Sequence, residues 1–374
     1  TAATLSNQVL LGPLGQGVTR FYAPAVENED IKGYASAVLY LIKIGTAAVF
    51  FLALLSIFVL LIINKSQWII LTFSAFFLAV FNGYNTIFNG IQNAARHRII
   101  VAFHQGSLPW LRFLVAAGII LCFGSKSTTA IFGYILANIL VFISQIIFLR
   151  KILFTSLFTT DNRNKWQKQI LKYTWPISIF GIFTWAQFAS DRWAIGLFAN
   201  TREIGHYAVL FQLGYYPLSL LTGMAMRFLA PIFYQRAGDG SDKSRNANVS
   251  NLTWRLTFIV LSMTCIVFLF AYLFHENVFK ILVAPEYISV SYLLPWMLLA
   301  GGIFASGQTI ALNLMSQMKT YVMLPAKIIT ASFGVILNFI GAYLHGTEGV
   351  VIASIVFSLS FFCWMVILAR NEQS

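Results

Sequence analysis

Residues 35–63 carry one charged side chain, Lys43, in a run long enough to cross a bilayer as a helix. Comparable runs recur along the chain without long period-two alternation. The backbone is therefore expected to satisfy its hydrogen bonds within helices and not around an outer-membrane barrel. Composition agrees, since 58% of the residues are hydrophobic and 10% charged, where a soluble globule carries about a quarter charged. The expected fold class is all-α, a polytopic transmembrane helical bundle.

Hydropathy and helix breakers place eleven spans, near residues 3–26, 35–63, 68–92, 98–122, 128–149, 173–198, 205–234, 254–274, 290–316, 321–344 and 348–369. The first is interrupted by Gly12, Pro13, Gly15, Gly17 and Arg20. Alternate loops on one side hold fourteen basic residues, among them Arg96, Arg98, Arg163, Lys165, Lys243 and Lys319. The other side holds four: Lys65, Lys126, Arg202 and Lys280. This asymmetry puts the richer side, and with it the C-terminus, in the cytoplasm. An eleven-span chain ending inside begins outside, and no signal peptide precedes Leu5, so a further helix is expected before the first span.

An internal duplication supports two lobes. Arg20-Phe21-Tyr22-Ala23-Pro24 and Arg227-Phe228-Leu229-Ala230-Pro231 share an R-F-x-A-P pattern near cytoplasmic helix ends, 207 residues apart. A weaker echo pairs Asn85-Thr86-Ile87 with Gln308-Thr309-Ile310. The expected division is an N-terminal lobe over 1–149, a cytoplasmic linker over 150–172 and a C-terminal lobe over 173–374. Such parallel repeats are common in transporters that rock one half against the other.

Seven basic residues fall inside spans: Arg20, Lys43, Arg112, Arg192, Arg227, Arg255 and Lys327. One acid, Asp191, accompanies them. Each cation at a lipid-facing helix centre would cost roughly 2.5–3.5 kcal/mol. Arg255 begins its span, and Lys43 and Lys327 are expected to snorkel to an interface. Arg112 sits mid-span and is expected to face a cavity. Arg20 and Arg227, about two turns from the cytoplasmic ends, suit a paired inner vestibule. Asp191 and Arg192 lie about 10 Å from the outer end of their helix and, as helix neighbours, point about 100° apart. Asp191 is expected to act as a counter-ion or coupling residue.

Asn82, Asn85, Asn89 and Asn93 recur at spacings of three, four and four and line one helix face. A second stripe, Ser306, Thr309, Asn313 and Gln317, lies on the repeat-related span. Amides cannot face hydrocarbon unpaired, so these faces meet water, another helix or a hydroxyl-rich ligand. The expected substrate-binding set is Arg20, Arg112, Arg192, Arg227, Asn82, Asn85, Asn89 and Asn313. His104 reads as a packing residue. The three cysteines, Cys122, Cys265 and Cys363, lie in apolar runs and read as small core hydrophobes. No Cys/His cluster has metal spacing, and no nucleotide-binding glycine pattern or nucleophile elbow appears, so an enzyme is not expected.

LGQGVTRFYAPA at 14–25, NGIQNAARHR at 89–98, and SDRWAIGLF at 190–198 followed by Gly205-His206-Tyr207 resemble the Wzx-type polysaccharide-unit flippases. That family belongs to the superfamily that includes multidrug extrusion proteins. The resemblance implies two six-helix lobes around a central cavity. It also implies alternating-access flipping of an undecaprenyl-diphosphate-linked oligosaccharide, such as an O-antigen unit of lipopolysaccharide, across the bacterial inner membrane. The implied partners are the lipid-linked oligosaccharide, membrane lipid and polysaccharide-assembly proteins, with no nucleic acid. No cofactor is implied beyond coupling to a proton or cation gradient. A multidrug or cation antiporter of the same fold is the nearest alternative, and a membrane polysaccharide polymerase a more distant one.

Overall fold

The computed structural model describes residues 5–124, 126–154 and 162–371. Among them every regular element is helical. A π-helical turn, Asn7–Leu11, leads into α1 (Gly12–Glu27). Then follow α2 (Ile31–Ile62), α3 (Ile69–Ala94), α4 (Arg98–Phe123), α5 (Ser127–Phe154) and α6 (Arg163–Phe198). The second half holds α7 (Thr201–Leu210), a π-helical segment Phe211–Tyr215, α8 (Tyr216–Ala237), α9 (Lys243–Leu282), α10 (Leu294–Ser316) and α11 (Met323–Asn371).

Eight helical stretches are long and apolar enough to span a membrane. The last, Thr320–Asn371, contains a turn at His345 and Gly346 that divides α11 into limbs 323–344 and 347–371. Gly346 permits it, because its φ of 54° with ψ of −129° suits a residue without a Cβ. Glycines and prolines dilute the apolar character of α1, and polar residues that of α6, so neither meets the length-and-composition criterion. With these two included, the helices follow the eleven expected positions.

The largest departures are extensions beyond the apolar windows. α9 begins at Lys243, eleven residues before the expected start, because the Asp242 carboxylate accepts from the backbone N–H groups of Ser244 and Arg245 and caps its first turn. Similarly, α6 begins at Arg163, inside the segment read as a linker. Residues 155–161 of that segment lie outside the described residues. Trp166, Ile170 and Tyr173 stand four and three residues apart and are all buried, which makes the charged start of α6 amphipathic. The Trp166 indole donates to Asp30 at 2.9 Å. Edge-on contacts join Phe21 to Trp166 and Tyr173, and Tyr34 to Trp166.

The chain divides into two compact units at Ile182 and Phe183, within α6. In the first unit, α3 packs against α1 and α5, while α4 leans on α5 and leaves most of its surface exposed. In the second, α10 is the buried centre, packed by α8, α9 and α11. Gly302 makes that approach close, since a Cβ there would stand 2.1 Å from the Thr264 hydroxyl oxygen. The exposed surface is rich in large apolar side chains, including Phe51 and Phe58 of α2, Trp110 and Phe113 of α4, and Phe258 and Ile266 of α9. Such a surface belongs in lipid, and the protein is a multi-pass membrane protein.

That inverted surface corrects the reading of the cysteines. All three are exposed. In a bilayer the outward face is as apolar as the core, so an apolar run does not reveal which way a thiol points.

Candidate functional site

Each unit has its own polar centre. In the first, Arg112 of α4 is half-buried, and its Nη2 donates to the side-chain oxygens of Asn82 on α3 and Asn138 on α5, the latter at 2.8 Å. Asn85 of α3, 3% exposed, donates to the Asn138 side-chain oxygen at 3.0 Å and to its backbone carbonyl at 3.2 Å. Gln145 of α5 donates to the Asn85 carbonyl at 3.3 Å. Asn138 in turn donates to the Tyr134 carbonyl at 2.7 Å. Hydrogen bonds from a charged donor are each worth about 1.5–3 kcal/mol. Two of them offset an intramembrane charge cost of roughly 2.5–3.5 kcal/mol.

Asn85 was expected to face substrate, but the structure turns it into the contact between α3 and α5. The same holds for Asn313, 1% exposed on α10. It donates to the Ser250 hydroxyl on α9 at 3.2 Å and accepts from Gln317 at 3.0 Å. Thr309 meets Thr257 of α9 at 2.6 Å. A stripe of amides and hydroxyls on one helix is as well satisfied by a polar neighbour helix as by a ligand, and sequence periodicity does not distinguish them. Asn82 and Asn89 remain half-buried.

The second unit centres on Asp191, 3% exposed on α6. Its carboxylate accepts from the Arg192 backbone N–H at 2.6 Å and is in hydrogen-bond contact with the Tyr207 hydroxyl of α7. Tyr207, 1% exposed, also meets Ser354 on the second limb of α11. One residue earlier on α6, Ser190 donates to the Gln187 carbonyl at 2.8 Å. Asn338 on the first limb of α11 donates to the Ser190 hydroxyl at 2.8 Å. The carboxylate thus meets the Tyr207 hydroxyl and a backbone N–H, and the adjacent Ser190 ties α6 to the first limb of α11.

Arg192 turns the other way. It is exposed, with its guanidinium 5.6 Å from the Phe211 ring centroid, and Phe211 stacks on Tyr215 at 5.1 Å. The two neighbours therefore do different things, as their angular separation on the helix requires. Arg227 on α8 is exposed, whereas Arg20 on α1 is fully buried, so the repeat-related pair differ in access. Lys43 and Arg255 are exposed.

Lys327 does not snorkel. It is 8% exposed, its ammonium lies 5.2 Å from the Phe361 ring centroid, and it donates to the Gln308 side chain at 3.5 Å. An aromatic face and an amide replace water there. His104 is a packing residue, buried between Phe103 and Phe148 with its Nε2 2.9 Å from the Ser144 hydroxyl.

Sequence reasoning missed Asn138, Gln145, Tyr207, Asn338 and Ser354. Asn138 and Gln145 carried a usable signal, two amides seven residues apart in an apolar span, which places them on one face. Tyr207 and Ser354 carried none, since hydroxyls are unremarkable in a helix until a partner is known.

The fold resembles several solved transporters. A point mutant of the Vibrio cholerae MATE transporter VcmN is similar with a TM-score of 0.76 at 16% identity, covering 99% of this chain and 88% of that one. The bent form of VcmN gives 0.75 at 15%, covering 100% and 86%. An outward-facing multidrug resistance MATE family transporter of the MOP superfamily gives 0.73 at 16%, covering 98% and 86%. At these identities the likeness shows the fold. No curated protein matches the chain in sequence. Residues 14–236, more than half of the chain and including Arg20, Arg112, Asp191, Arg192 and Arg227, match the polysaccharide biosynthesis protein family. The chain belongs to that family and carries the fold of these membrane transporters.

Proposed function

We propose that the protein is a flippase that moves an undecaprenyl-diphosphate-linked oligosaccharide, such as an O-antigen unit, across the bacterial inner membrane by alternating access. The observation that carries this reading is the excess of cations in the membrane-spanning helices of a polysaccharide biosynthesis family member. A diphosphate loses hydration on entering the bilayer, and fixed positive charge is what replaces it. Exposed Arg227 receives the diphosphate near the cytoplasmic end of α8, and exposed Arg192 near the outer end of α6. Arg112 supplies charge at mid-depth in the first unit. Arg20, fully buried, tunes the local potential without direct contact. Asn82 and Asn89 are the amides left with surface for sugar hydroxyls.

Asp191 is the coupling group in this reading. Its carboxylate, with the Tyr207 hydroxyl beside it and Ser354 behind Tyr207, offers oxygen partners to a proton or small cation. No other cofactor is required. The C-terminus is cytoplasmic, and polysaccharide-assembly proteins are the partners at the membrane.

A cation or multidrug antiporter is the second reading, favoured by the similarity to MATE transporters and by the buried carboxylate. Against it, the spans hold seven bases to one acid, the wrong balance for cationic drugs. Purified protein in liposomes separates the two. The flippase reading expects translocation of fluorescent lipid-linked oligosaccharide and no uptake of cationic dyes. Dye transport without flipping would establish the antiporter.

A further inference from the structure

We propose that the first unit holds a hydrated seam between α3 and α5, leading from the cytoplasmic end of α3 to Arg112, with water as its ligand. On α3, Asn82, Asn85, Asn89 and Gln92 fall on one face, within about 80° of one another at 100° per residue. They extend over about 15 Å at 1.5 Å per residue. Gln92 lies within the last turn of α3, beside the loop that carries Arg96 and leads to Arg98 at the start of α4. Asn138 and Gln145 share a face of α5, and their bonds to Asn85 show that this face meets α3.

Asn82 and Asn89 keep some surface, while Asn85, Gln92 and Gln145 are buried, and the row is incompletely paired by protein. Gln92 and Gln145 are 0% exposed. Both polar side-chain atoms of Gln92 are buried without a protein partner, as are the side-chain oxygens of Asn85, Asn89 and Gln145 and the Nε of Arg112. Native interiors leave few polar atoms in this state, and several in one row indicate an occupant. The α10 stripe differs, because hydroxyls and amides of α9 and α10 answer it directly.

The chemistry of the row selects the occupant. Mostly acceptors are unanswered, so the ligand must donate hydrogen bonds or be a cation. Arg112 bonds Asn82 of the row and, through Asn138, is linked to Asn85, so a fixed positive charge stands at the row and repels a cation. Water is neutral, donates two hydrogen bonds, and also accepts from the Gln92 amide and the Arg112 Nε–H. Its role is to hydrate the Arg112 guanidinium from the cytoplasmic side, which keeps that charge usable at mid-depth.

Single cysteines at Asn89 and Gln92, in a chain with Cys122, Cys265 and Cys363 changed to serine, test this in inside-out vesicles. A small hydrophilic thiosulfonate should modify them at least about tenfold faster than a cysteine at buried Val49, since thiols react as thiolates and these need water. Equal rates would overturn the proposal in favour of a dry helix contact. Slowing of the Asn89 and Gln92 reactions by sodium or potassium would overturn it in favour of a cation site. Hydroxyl-radical labelling of the unsubstituted protein is independent of any variant's folding. Phe88 should be modified more than Phe76, an almost equally buried phenylalanine on the same helix; equal modification would count against the seam.

Discussion

The first unit gathers neutral amides around a cation, whereas the second sets a hydroxyl and a backbone N–H against a carboxylate. Arg112 is half-buried and bonds two side-chain oxygens from neighbouring helices. Asp191 is 3% exposed and meets hydroxyl and backbone donors. Of the second unit's in-span cations, Arg192, Arg227 and Arg255 are exposed, and Lys327 is buried beside Phe361 and Gln308. The proposed function builds on this difference, giving anion handling to Arg112 and the exposed arginines and ion coupling to Asp191.

Removing the guanidinium should have the largest effect. Arg112→Ala takes the guanidinium donor from the Asn82 oxygen and leaves the Asn138 oxygen with Asn85 alone, and loss of even one charge-assisted bond, at about 1.5–3 kcal/mol, corresponds to tenfold or more. Flipping should fall at least about tenfold while membrane insertion persists. Arg112→Lys should recover part of the rate, because a single nitrogen makes both bonds and an ammonium can occupy its place. Equal loss in the two variants would show that the guanidinium plane matters, and would shift Arg112 toward a bidentate anion clamp.

Asp191→Asn keeps the shape and removes the charge. It should abolish the response of transport to an imposed proton or cation gradient with a smaller effect on substrate binding. An unchanged gradient response would reduce Asp191 to a buried structural acid and break the contrast between the centres.

Asn85→Leu tests the amide contact in the first unit. The helix–helix role predicts a lowered thermal midpoint in detergent, at the scale of about 0.6–1.7 kcal/mol for interhelical hydrogen bonds in membranes. Flipping should fall in parallel. A transport defect with an unchanged midpoint would return Asn85 to the substrate-contacting set.

The smallest effect belongs to the α9 cap. The Ser244 hydroxyl, then the backbone N–H groups of Arg245 and Ser244, hold the Asp242 carboxyl below its ordinary range by bonding its charged form. The folded-state value is therefore depressed. The cap's contribution is present above the unfolded value and is lost as pH falls through the folded one. Asp242→Asn, which keeps a capping side chain, should weaken the pH dependence of stability in the acid range, read as thermal midpoint against pH. An unaltered profile would show that the cap does not limit α9.

Helix number and the membrane character were legible in the sequence because hydrocarbon thickness imposes a length and polarity pattern that no neighbour alters. Helix ends were less so. The Asp242 cap and the Trp166-Ile170-Tyr173 face act outside the apolar windows and extend α9 and α6 well into polar sequence. Among the candidate residues, charge identified Arg112 and Asp191 because a buried ion in a span demands an explanation. Their partners did not stand out, since Asn138, Tyr207 and Ser354 gain meaning only from which helices adjoin. Lys327 was misjudged because its distance from a helix end says nothing about the Phe361 ring that covers it.

The assignment of separate tasks to the two centres is tested most directly by flipping of a fluorescent lipid-linked oligosaccharide in liposomes, with and without an imposed ion gradient. Wild type, Arg112→Ala and Asp191→Asn are measured side by side, with substrate affinity determined for each. The account predicts that Arg112→Ala weakens substrate binding and slows flipping at every gradient. It predicts that Asp191→Asn binds substrate nearly as wild type does and flips at one rate regardless of the gradient. Wild-type behaviour of Arg112→Ala, or identical defects in the two variants, would contradict it.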